Sequence, residues 1–337
     1  MSRALQLAGL GRSSVSPNPM VGCVITHKDS IIGEGFHQKY GGPHAEVNAV
    51  DAVKDQKLLP ESTVYVTLEP CSHFGKTPPC SDLLIGKKVK KVVVAAMDPN
   101  PEVNGRGIKK LRESGIEVVT GVLEEESIDL NRRFYTFHQK KRPYIILKWA
   151  ETTDGFIARE NYDSKWISNS YSRQLVHRWR CEEDAILVGT NTAIHDNPSL
   201  TTRDWKGKNP VRVLIDMNVK VKNSHFLFNS DARTLVINSK FAREDKNIEW
   251  IRISENDSEK KLLNELYRRN IQSLIIEGGS YTLQRFIDKD LWDEARIFVS
   301  DTKFKKGIFS PALDREPSTS ESVFNDKLYF YKNDAKR

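Results

Sequence analysis

The chain has 337 residues, of which 38% are hydrophobic and 29% charged, and its formal net charge is +7. This length is too great for one ordinary core and predicts two domains, while the composition excludes a disordered chain. No run approaches the roughly 18 apolar residues of a membrane span, and the N-terminus lacks the features of a signal peptide. We therefore expect a cytoplasmic protein with no membrane partner.

The positive charge is spread along the chain. Residues 1–142 carry 20 basic and 16 acidic groups, so the excess is +4 there and +3 in the remainder. The cluster Lys87-Lys88-Val89-Lys90-Lys91 directly precedes a predicted strand and is typical of a solvated turn. Because polynucleotide binding needs a focused basic surface, we expect no nucleic-acid partner.

The first half of the chain alternates between strand and helix signals. Residues 1–11 have the apolar spacing of an amphipathic helix. Strands are predicted over 21–26, 31–36, 63–68, 91–96 and 117–120, and helices over 45–53, 81–85, 107–114 and 124–139. This alternation predicts a mixed sheet with helices on both faces.

The run Lys140-Lys141-Arg142-Pro143 breaks this pattern. It predicts a domain over 1–140, a linker over 141–143 and a second α/β domain over 144–337. In the second domain strands are predicted over 144–150, 185–189, 211–215, 234–237, 273–277, 294–299 and 328–331, and helices over 172–180, 259–269 and from 280 to 288. The polar tail 314–326 is predicted to be a loop.

The four cysteines fall into two groups. In a reducing compartment thiols are more often metal ligands or catalytic groups than disulfides. Cys71 and Cys80 flank a proline-rich loop that follows a predicted strand. Cys23 and Cys181 lie in apolar or helical runs and are predicted to be buried as small hydrophobic side chains.

The segment Pro43-His44-Ala45-Glu46 combines with these two thiols into a predicted zinc site. Three protein ligands, His44, Cys71 and Cys80, would leave one position for water, and Glu46 would move protons as a catalytic residue that does not bind the metal. On an ideal helix His44 and Glu46 point to different sides, so the pair works only at a helix N-terminus, where Pro43 is favourable.

Two alternatives remain open from these residues. The zinc could be structural, with His73 as a fourth ligand, although such a site has no use for the free carboxylate of Glu46. The chain could instead be a zinc-dependent deaminase of nucleosides or nucleic-acid bases with an accessory domain. The eight residues between Cys71 and Cys80 exceed the short gap between the two cysteines of cytidine and adenosine deaminases. This spacing favours a different branch of that fold.

Several longer motifs identify a family. They are Ser16-Pro17-Asn18-Pro19-Met20-Val21-Gly22, Leu68-Glu69-Pro70-Cys71-Ser72-His73 followed by Gly75-Lys76-Thr77-Pro78-Pro79-Cys80, Asp98-Pro99-Asn100-Pro101, Lys141-Arg142-Pro143-Tyr144, Thr153-Asp154-Gly155, Trp166-Ile167-Ser168 and Glu277-Gly278-Gly279. With Pro43 to Glu46, they resemble the bifunctional deaminase–reductase of riboflavin biosynthesis over nearly the whole chain.

The resemblance implies a cytidine-deaminase-like N-terminal domain. That domain would remove ammonia from a diaminopyrimidinone that carries a ribosylamino 5′-phosphate. His44, Cys71 and Cys80 would hold Zn2+, and Glu46 would be the proton shuttle. The positions that match the family's substrate pocket are Asn18, Lys76, Asp98 and Asn100.

The resemblance also implies a dihydrofolate-reductase-like C-terminal domain that uses NADPH to reduce the ribosyl side chain to ribityl. The matching cofactor positions are Ala150, Trp166, Thr192, Asp196 and Gly279, and the matching substrate positions are Ser164, Arg180, Leu200, Arg203 and Glu277. Gln284 departs from the small glycine that many relatives have.

The residues themselves add three expectations to this half. Glycines between a strand and a helix, as in Gly278-Gly279, let a phosphate approach the backbone. Lys148 alternates with apolar neighbours on its strand, so it should face away from Leu147 and Trp149 and contact phosphate or ribose. Ser239, after strand 234–237, is our candidate for selecting NADPH over NADH. The sequence leaves oligomeric state open, a homo-oligomer included.

Overall fold

The computed structural model describes residues 1–72, 78–101, 103–165 and 167–333. It divides into two compact units, Met1–Lys141 and Arg142–Arg337. Within the described ranges, none of the helices combines the length and apolar character that a bilayer crossing requires.

The first unit alternates strands and helices as predicted. Its strands are β1 (Gly22–His27), β2 (Ser30–Phe36), β3 (Thr63–Leu68), β4 (Lys91–Ala96) and β5 (Glu117–Thr120). Its helices are α1 (Ser2–Gly9), α2 (Ala45–Asp51), α3 (Cys80–Gly86), α4 (Arg106–Glu113), α5 (Glu124–Leu130) and α6 (Arg132–Lys140), with a 3-10 helix over Gln56–Glu61.

The five strands form one mixed sheet in the order β2-β1-β3-β4-β5, with β1 antiparallel to both neighbours and β3, β4 and β5 parallel. Alternate residues of β1 face opposite layers. Cys23 and Ile25 pack in the core formed with α2, α3 and α4, whereas Val24 packs against α1 on the other face. The predicted mixed sheet with helices on both faces is confirmed, and Cys23 is buried as predicted.

One prediction for the first unit was wrong. Residues 124–139 do not form a single helix, because Asn131 separates α5 from α6 with a non-helical backbone. The buried Asn131 amide accepts a hydrogen bond from the Met20 backbone N–H at 2.8 Å and donates to the Met20 carbonyl at 2.9 Å. The break therefore anchors the segment that carries Asn18.

The second unit is built on a longer sheet. Its strands are β6 (Tyr144–Thr152), β7 (Phe156–Ala158), β8 (Ala185–Gly189), β9 (Val211–Ile215), β10 (Thr234–Asn238), β11 (Arg243–Asp245), β12 (Ile248–Arg252), β13 (Ser273–Ile276), β14 (Glu294–Ser300), β15 (Ile308–Phe309), β16 (Thr319–Val323) and β17 (Asp326–Lys332). Its helices are α7 (Ser170–Glu182), α8 (Thr190–Asp196), α9 (Ser258–Arg268) and α10 (Ser280–Asp288), with a 3-10 helix over Phe226–Phe228.

Ten of these strands form a sheet in the order β11-β12-β10-β9-β8-β13-β6-β14-β17-β16. The seven strands from β12 to β14 in that order run parallel, so their carboxyl ends lie along one edge. Helices α9 and α10 cover one face, and α7 and α8 cover the other. Cys181 lies within α7 and is buried, as predicted.

The polar tail was also predicted incorrectly in part. Residues 319–323 form β16, which pairs antiparallel with β17 at the sheet edge. Its side chains are mostly exposed, so its composition is that of a loop. The extended conformation depends on main-chain pairing, to which side-chain polarity gives no clue.

Gly35 sets how closely α2 approaches β2. A Cβ atom at this position would lie 2.4 Å from the Ala49 backbone nitrogen and 2.5 Å from the Ala45 carbonyl oxygen, both in α2. We expect Gly35→Ala to displace α2 and to destabilise the first unit by about 1–3 kcal/mol, as overpacking does. Hydrogen–deuterium exchange of peptides covering residues 44–52 should become faster.

Gly86→Ala is the matched control, because nothing lies within 4 Å of the added atom. Its exchange should match that of the parent protein or be slower, since alanine is favoured over glycine in a helix. Equal exchange in α2 for both variants would contradict the close-packing argument.

Candidate functional site

The start of helix α2 carries two groups of the predicted zinc site. His44 is its N-cap residue with extended backbone (φ −73°, ψ 166°), and Glu46 lies in the first turn. The N-cap residue points off the regular helical spiral. The side chains of His44 and Glu46 therefore do not have to point to different sides, as they would within a helix. The predicted helix start after Pro43 is confirmed.

The two thiols of the predicted zinc site come from the segment after β3 and from the start of α3. Cys71 lies three residues after the end of β3, and Cys80 is the first residue of α3. The backbone N–H of Cys80 donates to Cys71 Sγ at 3.3 Å, and the N–H of Ser81 donates to the Cys71 carbonyl at 3.1 Å. These bonds join the two ends of the cysteine loop, of which residues 73–77, including Lys76 and His73, lie outside the described residues.

The geometry of the three ligand atoms fits zinc. His44 Nδ1 lies 3.6 Å from Cys71 Sγ and 3.3 Å from Cys80 Sγ, and all three atoms lie within 4.8 Å of one another. A tetrahedral ion with bonds of about 2.0 Å to nitrogen and 2.3 Å to sulfur requires a sulfur–nitrogen separation of roughly 3.5 Å. The two observed distances lie on either side of that value.

The pKa values of Cys71, Cys80 and Glu46 are shifted because these groups are buried close together. The hydrogen bond from Cys80 lowers the pKa of Cys71 to about 4, with help from His44. The same bond, together with burial, raises the pKa of Cys80. Burial and the Cys71 thiolate raise the pKa of Glu46 to about 7. A buried carboxylate with this pKa can exchange protons at neutral pH.

Glu69 is a structural residue of the site to which our sequence analysis assigned no role. It is buried, and its two carboxylate oxygens accept backbone N–H bonds from Gly105 and Gly107 at 2.9 Å, Ile108 at 3.3 Å and Asp98 at 3.4 Å. It therefore joins the segment leading to Cys71 to the loop between β4 and α4. One signal in the sequence could have indicated this role. Glu69 directly follows an apolar strand, and a carboxylate that is buried there needs hydrogen-bond donors.

The predicted substrate residues of the first unit surround this framework. Asp98 and Asn100 form a turn in which the Asn100 N–H donates to Asp98 Oδ1 at 2.8 Å, next to the Glu69 contact. On the other side, Asn18 is 3.1 Å from the ring of His37, which packs edge-on against His44 at a centroid distance of 5.5 Å. His37 was also missed by sequence reasoning.

In the second unit, a buried charge cluster lies at the carboxyl edge of the parallel strands. Arg180 donates through Nε and Nη2 to the two oxygens of Glu277, both at 2.9 Å, and Lys148 Nζ lies 3.6 Å from Glu277 Oε2. Lys148 faces away from Leu147 and Trp149, which belong to the opposite core, as predicted. The paired donors of Arg180 are thus directed at the carboxylate of Glu277.

The loop after α8 is held against this cluster. Arg180 Nη1 donates to the Thr201 carbonyl at 3.3 Å, and the Arg203 N–H donates to His177 Nδ1 at 3.1 Å. Leu200 is buried in the same loop. The structure therefore brings Lys148, Arg180, Leu200, Arg203 and Glu277 together. It adds His177, which no sequence motif indicated.

The glycine turn lies beside the start of α8. Gly278 has φ +126°, a conformation that strongly favours glycine, and Gly279 is the N-cap of α10. The Gly189 N–H donates to the Gly278 carbonyl at 3.0 Å, and Thr192 Oγ1 is 3.1 Å from where a Cβ of Gly279 would lie. Neither glycine has a Cβ atom, so a phosphate can approach the backbone of this turn.

The remaining predicted cofactor residues are more scattered. Asp196 accepts a hydrogen bond from Ser164 Oγ at 3.4 Å, and Ala150 packs in the core beneath α7 and α8. Ser239 Oγ donates to the Met217 carbonyl at 2.9 Å. Gln284 bonds Asp288 and the backbone of Ala312, away from the glycine turn. Trp166 lies outside the described residues.

We predict that Glu69→Gln loosens the loop between β4 and α4. An amide can accept at one oxygen only, so its NH2 group would face backbone N–H donors at a cost of about 1–3 kcal/mol. Hydrogen–deuterium exchange over residues 98–108 should become faster, and zinc should be lost faster to a chelator. Glu113→Gln, on the exposed side of the same helix α4, should change neither; faster exchange in both variants would contradict this role.

A second prediction concerns Glu277. Burial opposes ionisation, but the charges of Arg180 and Lys148 outweigh it and lower the pKa to about 2. Because the folded pKa lies below the ordinary value, ionised Glu277 stabilises the fold above pH ~4.5, and this contribution is lost as the pH falls towards 2. Glu277→Gln should therefore cost about 3 kcal/mol at pH 7 and progressively less below pH ~4.5.

Tryptophan fluorescence during urea unfolding can measure this difference, because all six tryptophans lie in the second unit. Glu321→Gln, on exposed β16, is the control and should leave the unfolding midpoint unchanged at both pH values. A penalty for Glu277→Gln that does not change with pH would show that the charge cluster is not its source.

Comparison with known proteins gives a matching family for each of the two units. The family model for the cytidine and deoxycytidylate deaminase zinc-binding region matches residues 1–96, and that for the RibD C-terminal domain matches residues 143–302. The riboflavin biosynthesis protein RibD of Aquifex aeolicus is 41% identical over 314 residues, which cover 91% of this chain and 88% of that protein. The protein of the same name from Escherichia coli is 35% identical, over 89% and 86% respectively.

Solved structures extend the likeness to the whole fold. The crystal structure of a diaminohydroxyphosphoribosylaminopyrimidine deaminase/5-amino-6-(5-phosphoribosylamino)uracil reductase from Thermotoga maritima has a TM-score of 0.90 and 40% identity, covering 98% of this chain and 97% of that chain. Acinetobacter baumannii RibD has a TM-score of 0.89 and 34% identity, covering 98% and 96%. The chain therefore belongs to the RibD family, the bifunctional zinc-dependent deaminases and NADPH-using reductases of riboflavin biosynthesis.

Proposed function

We propose that the first unit deaminates a 2,5-diamino-6-(5-phosphoribosylamino)pyrimidin-4-one, and that the second unit then reduces its ribosyl side chain to ribityl. The observation that carries the first step is a site with three ligands beside a buried carboxylate, Glu46, that does not belong to the ligand set. A purely structural metal site has no use for that carboxylate. The substrate is the one named for the Thermotoga maritima relative.

Glu46 is the residue that moves protons in the deamination. When bound, zinc lowers the pKa of water so that hydroxide is available near neutral pH. Glu46 accepts the two protons that the water gives up in turn and delivers one to the ring nitrogen and the other to the amino group, which leaves as ammonia while the water oxygen becomes the ring carbonyl. Glu46 can do both because it is buried beside the ligand residues without being one of them.

Three described residues of the first unit are proposed to bind this substrate. Asn18 adjoins His37 beside the zinc ligands, and Asp98 and Asn100 lie in the turn anchored by Glu69. Polar side chains in anchored loops can hold the edge of a pyrimidine in one orientation. Lys76, within the cysteine loop, is proposed as the partner of the phosphate.

The second unit is proposed to bind NADPH at the glycine turn and the pyrimidine beside the charge cluster. NADPH supplies the hydride for the reduction. Gly279 is the N-cap of α10 and Thr192 lies in the first turn of α8, where backbone N–H groups favour a pyrophosphate, and Asp196 is the last residue of α8. Ala150, Trp166 and Ser239 complete the proposed cofactor set.

The proposed reductase substrate site lies along the carboxyl ends of β6 and β13. Lys148, Arg180 and Glu277 form its buried floor, and Leu200 and Arg203 lie in the loop fastened to Arg180 and His177. Ser164 contributes from the segment that contacts Asp196. In open parallel sheets, ligands bind at this edge, which supports the placement.

We further propose that residues 1–140 carry the deaminase and 144–337 the reductase, joined by 141–143. Along the chain, one compact unit ends at Lys141 and the other begins at Arg142, which supports this division. Thiolate zinc ligands suit a reducing cytoplasm, where we place the enzyme. The even distribution of charge favours a small phosphorylated substrate over a polynucleotide.

Glu46→Gln tests the division of labour. It should retain zinc, lose ammonia release by at least about 100-fold because the proton carrier is gone, and keep NADPH oxidation when the deaminated intermediate is supplied. Ammonia and NADPH absorbance are followed separately, and zinc is measured by atomic absorption. Glu61→Gln, an exposed change in the same unit, is the control and should retain both activities.

Loss of NADPH oxidation together with ammonia release in a folded, zinc-loaded Glu46→Gln protein would contradict independent sites. Normal ammonia release from the variant would contradict the role of Glu46 itself.

A further inference from the structure

His37 connects the backbone of the zinc-binding segment to a proposed substrate residue. It follows β2, and its side chain is buried. Its Nδ1 is 2.9 Å from the carbonyl oxygen of Pro43, the residue before His44. Its Nε2 is 3.1 Å from the amide nitrogen of Asn18.

The carbonyl of Pro43 determines the tautomer of this ring. A carbonyl oxygen can only accept a hydrogen bond, so Nδ1 must carry the proton. The Asn18 amide nitrogen opposite Nε2 agrees with a neutral ring, because an NH2 group can only donate. In a neutral imidazole with a protonated Nδ1, Nε2 has a lone pair and no proton. It can then only accept.

The tautomer in turn determines the orientation of Asn18. An accepting Nε2 requires a donor opposite it, and within the Asn18 side chain only the NH2 group can donate. The amide oxygen is thereby turned away from His37. The Asn18 backbone does not compete for that oxygen, since its N–H is already bonded to the Val15 carbonyl at 2.8 Å.

We propose that His37 is a positioning residue of the deaminase site, which holds the Asn18 amide so that Oδ1 is presented to the substrate as a hydrogen-bond acceptor. The group of the pyrimidine substrate that Asn18 recognises is therefore a donor, an N–H or O–H. This inference rests on the proposed function of the first unit for the identity of the substrate, but the tautomer of His37 can be tested without any substrate.

The first test is nitrogen-15 NMR of the zinc-loaded protein labelled at its eight histidines. We expect His37, assigned by the signal missing from His37→Gln, to be neutral with its proton on Nδ1. In Asn18→Asp the carboxylate can only accept, so His37 should become doubly protonated at neutral pH. A proton on Nε2 of His37 in the parent protein would overturn the proposal.

The second test uses three variants in deaminase kinetics. Asn18→Leu removes the acceptor and should raise KM roughly 3- to 10-fold, the range for one hydrogen bond, whereas Asn18→Asp retains an acceptor oxygen and should raise it less. His37→Phe leaves the Asn18 amide free to rotate and should raise KM within the same range. In each variant, zinc content and NADPH oxidation with deaminated intermediate should be unchanged.

The outcomes separate the two levels of the proposal. If the parent protein releases no ammonia from the diaminopyrimidine phosphate, the proposed substrate fails, while the NMR result still decides the tautomer. If ammonia is released but Asn18→Asp and Asn18→Leu have equal KM values, the acceptor role of Asn18 is refuted. If His37→Phe lowers zinc content in proportion to activity, His37 supports the metal site alone and the proposal fails.

Discussion

A buried carboxylate requires compensation, and three glutamates of this chain meet that requirement in different ways. Glu69 accepts four backbone N–H bonds and holds the segment before Cys71 to the loop between β4 and α4. Glu277 is surrounded by Arg180 and Lys148, whose charges hold its pKa near 2. Glu46 is buried beside the Cys71 thiolate, and both conditions raise its pKa to about 7. The same side chain is thus structural, permanently ionised or able to exchange protons, according to its neighbours.

Both units place these groups where strands end and helices begin. In the first unit, the N-cap of α2 and the first residue of α3 supply His44 and Cys80, and the segment after β3 supplies Cys71. In the second, Glu277 and the glycine turn follow β13, and Gly189 ends β8. Side chains at such junctions converge because parallel strands end at a common edge, while the sheet behind them keeps the backbone rigid.

The two errors of prediction share a physical origin. A helix over 124–139 has suitable local propensity, but Asn131 gains two buried hydrogen bonds to Met20 by leaving the helical conformation. The tail over 319–323 is polar enough for a loop, yet its main chain pairs with β17. In both cases a partner distant in sequence outweighed local preference, as tertiary contacts commonly do.

The sequence by itself determined the residue types of the zinc site, its two helix starts, the alternation of both sheets and, through its motifs, the family. These features depend on local periodicity and on the short-range geometry of prolines and glycines, which neighbouring residues largely decide. Only the tertiary structure decided that Glu69 binds the loop of Asp98, that Arg180 pairs with Glu277 and that His37 orients Asn18. Each of these contacts joins groups 19 to 97 residues apart, and their pairing depends on how the sheet assembles.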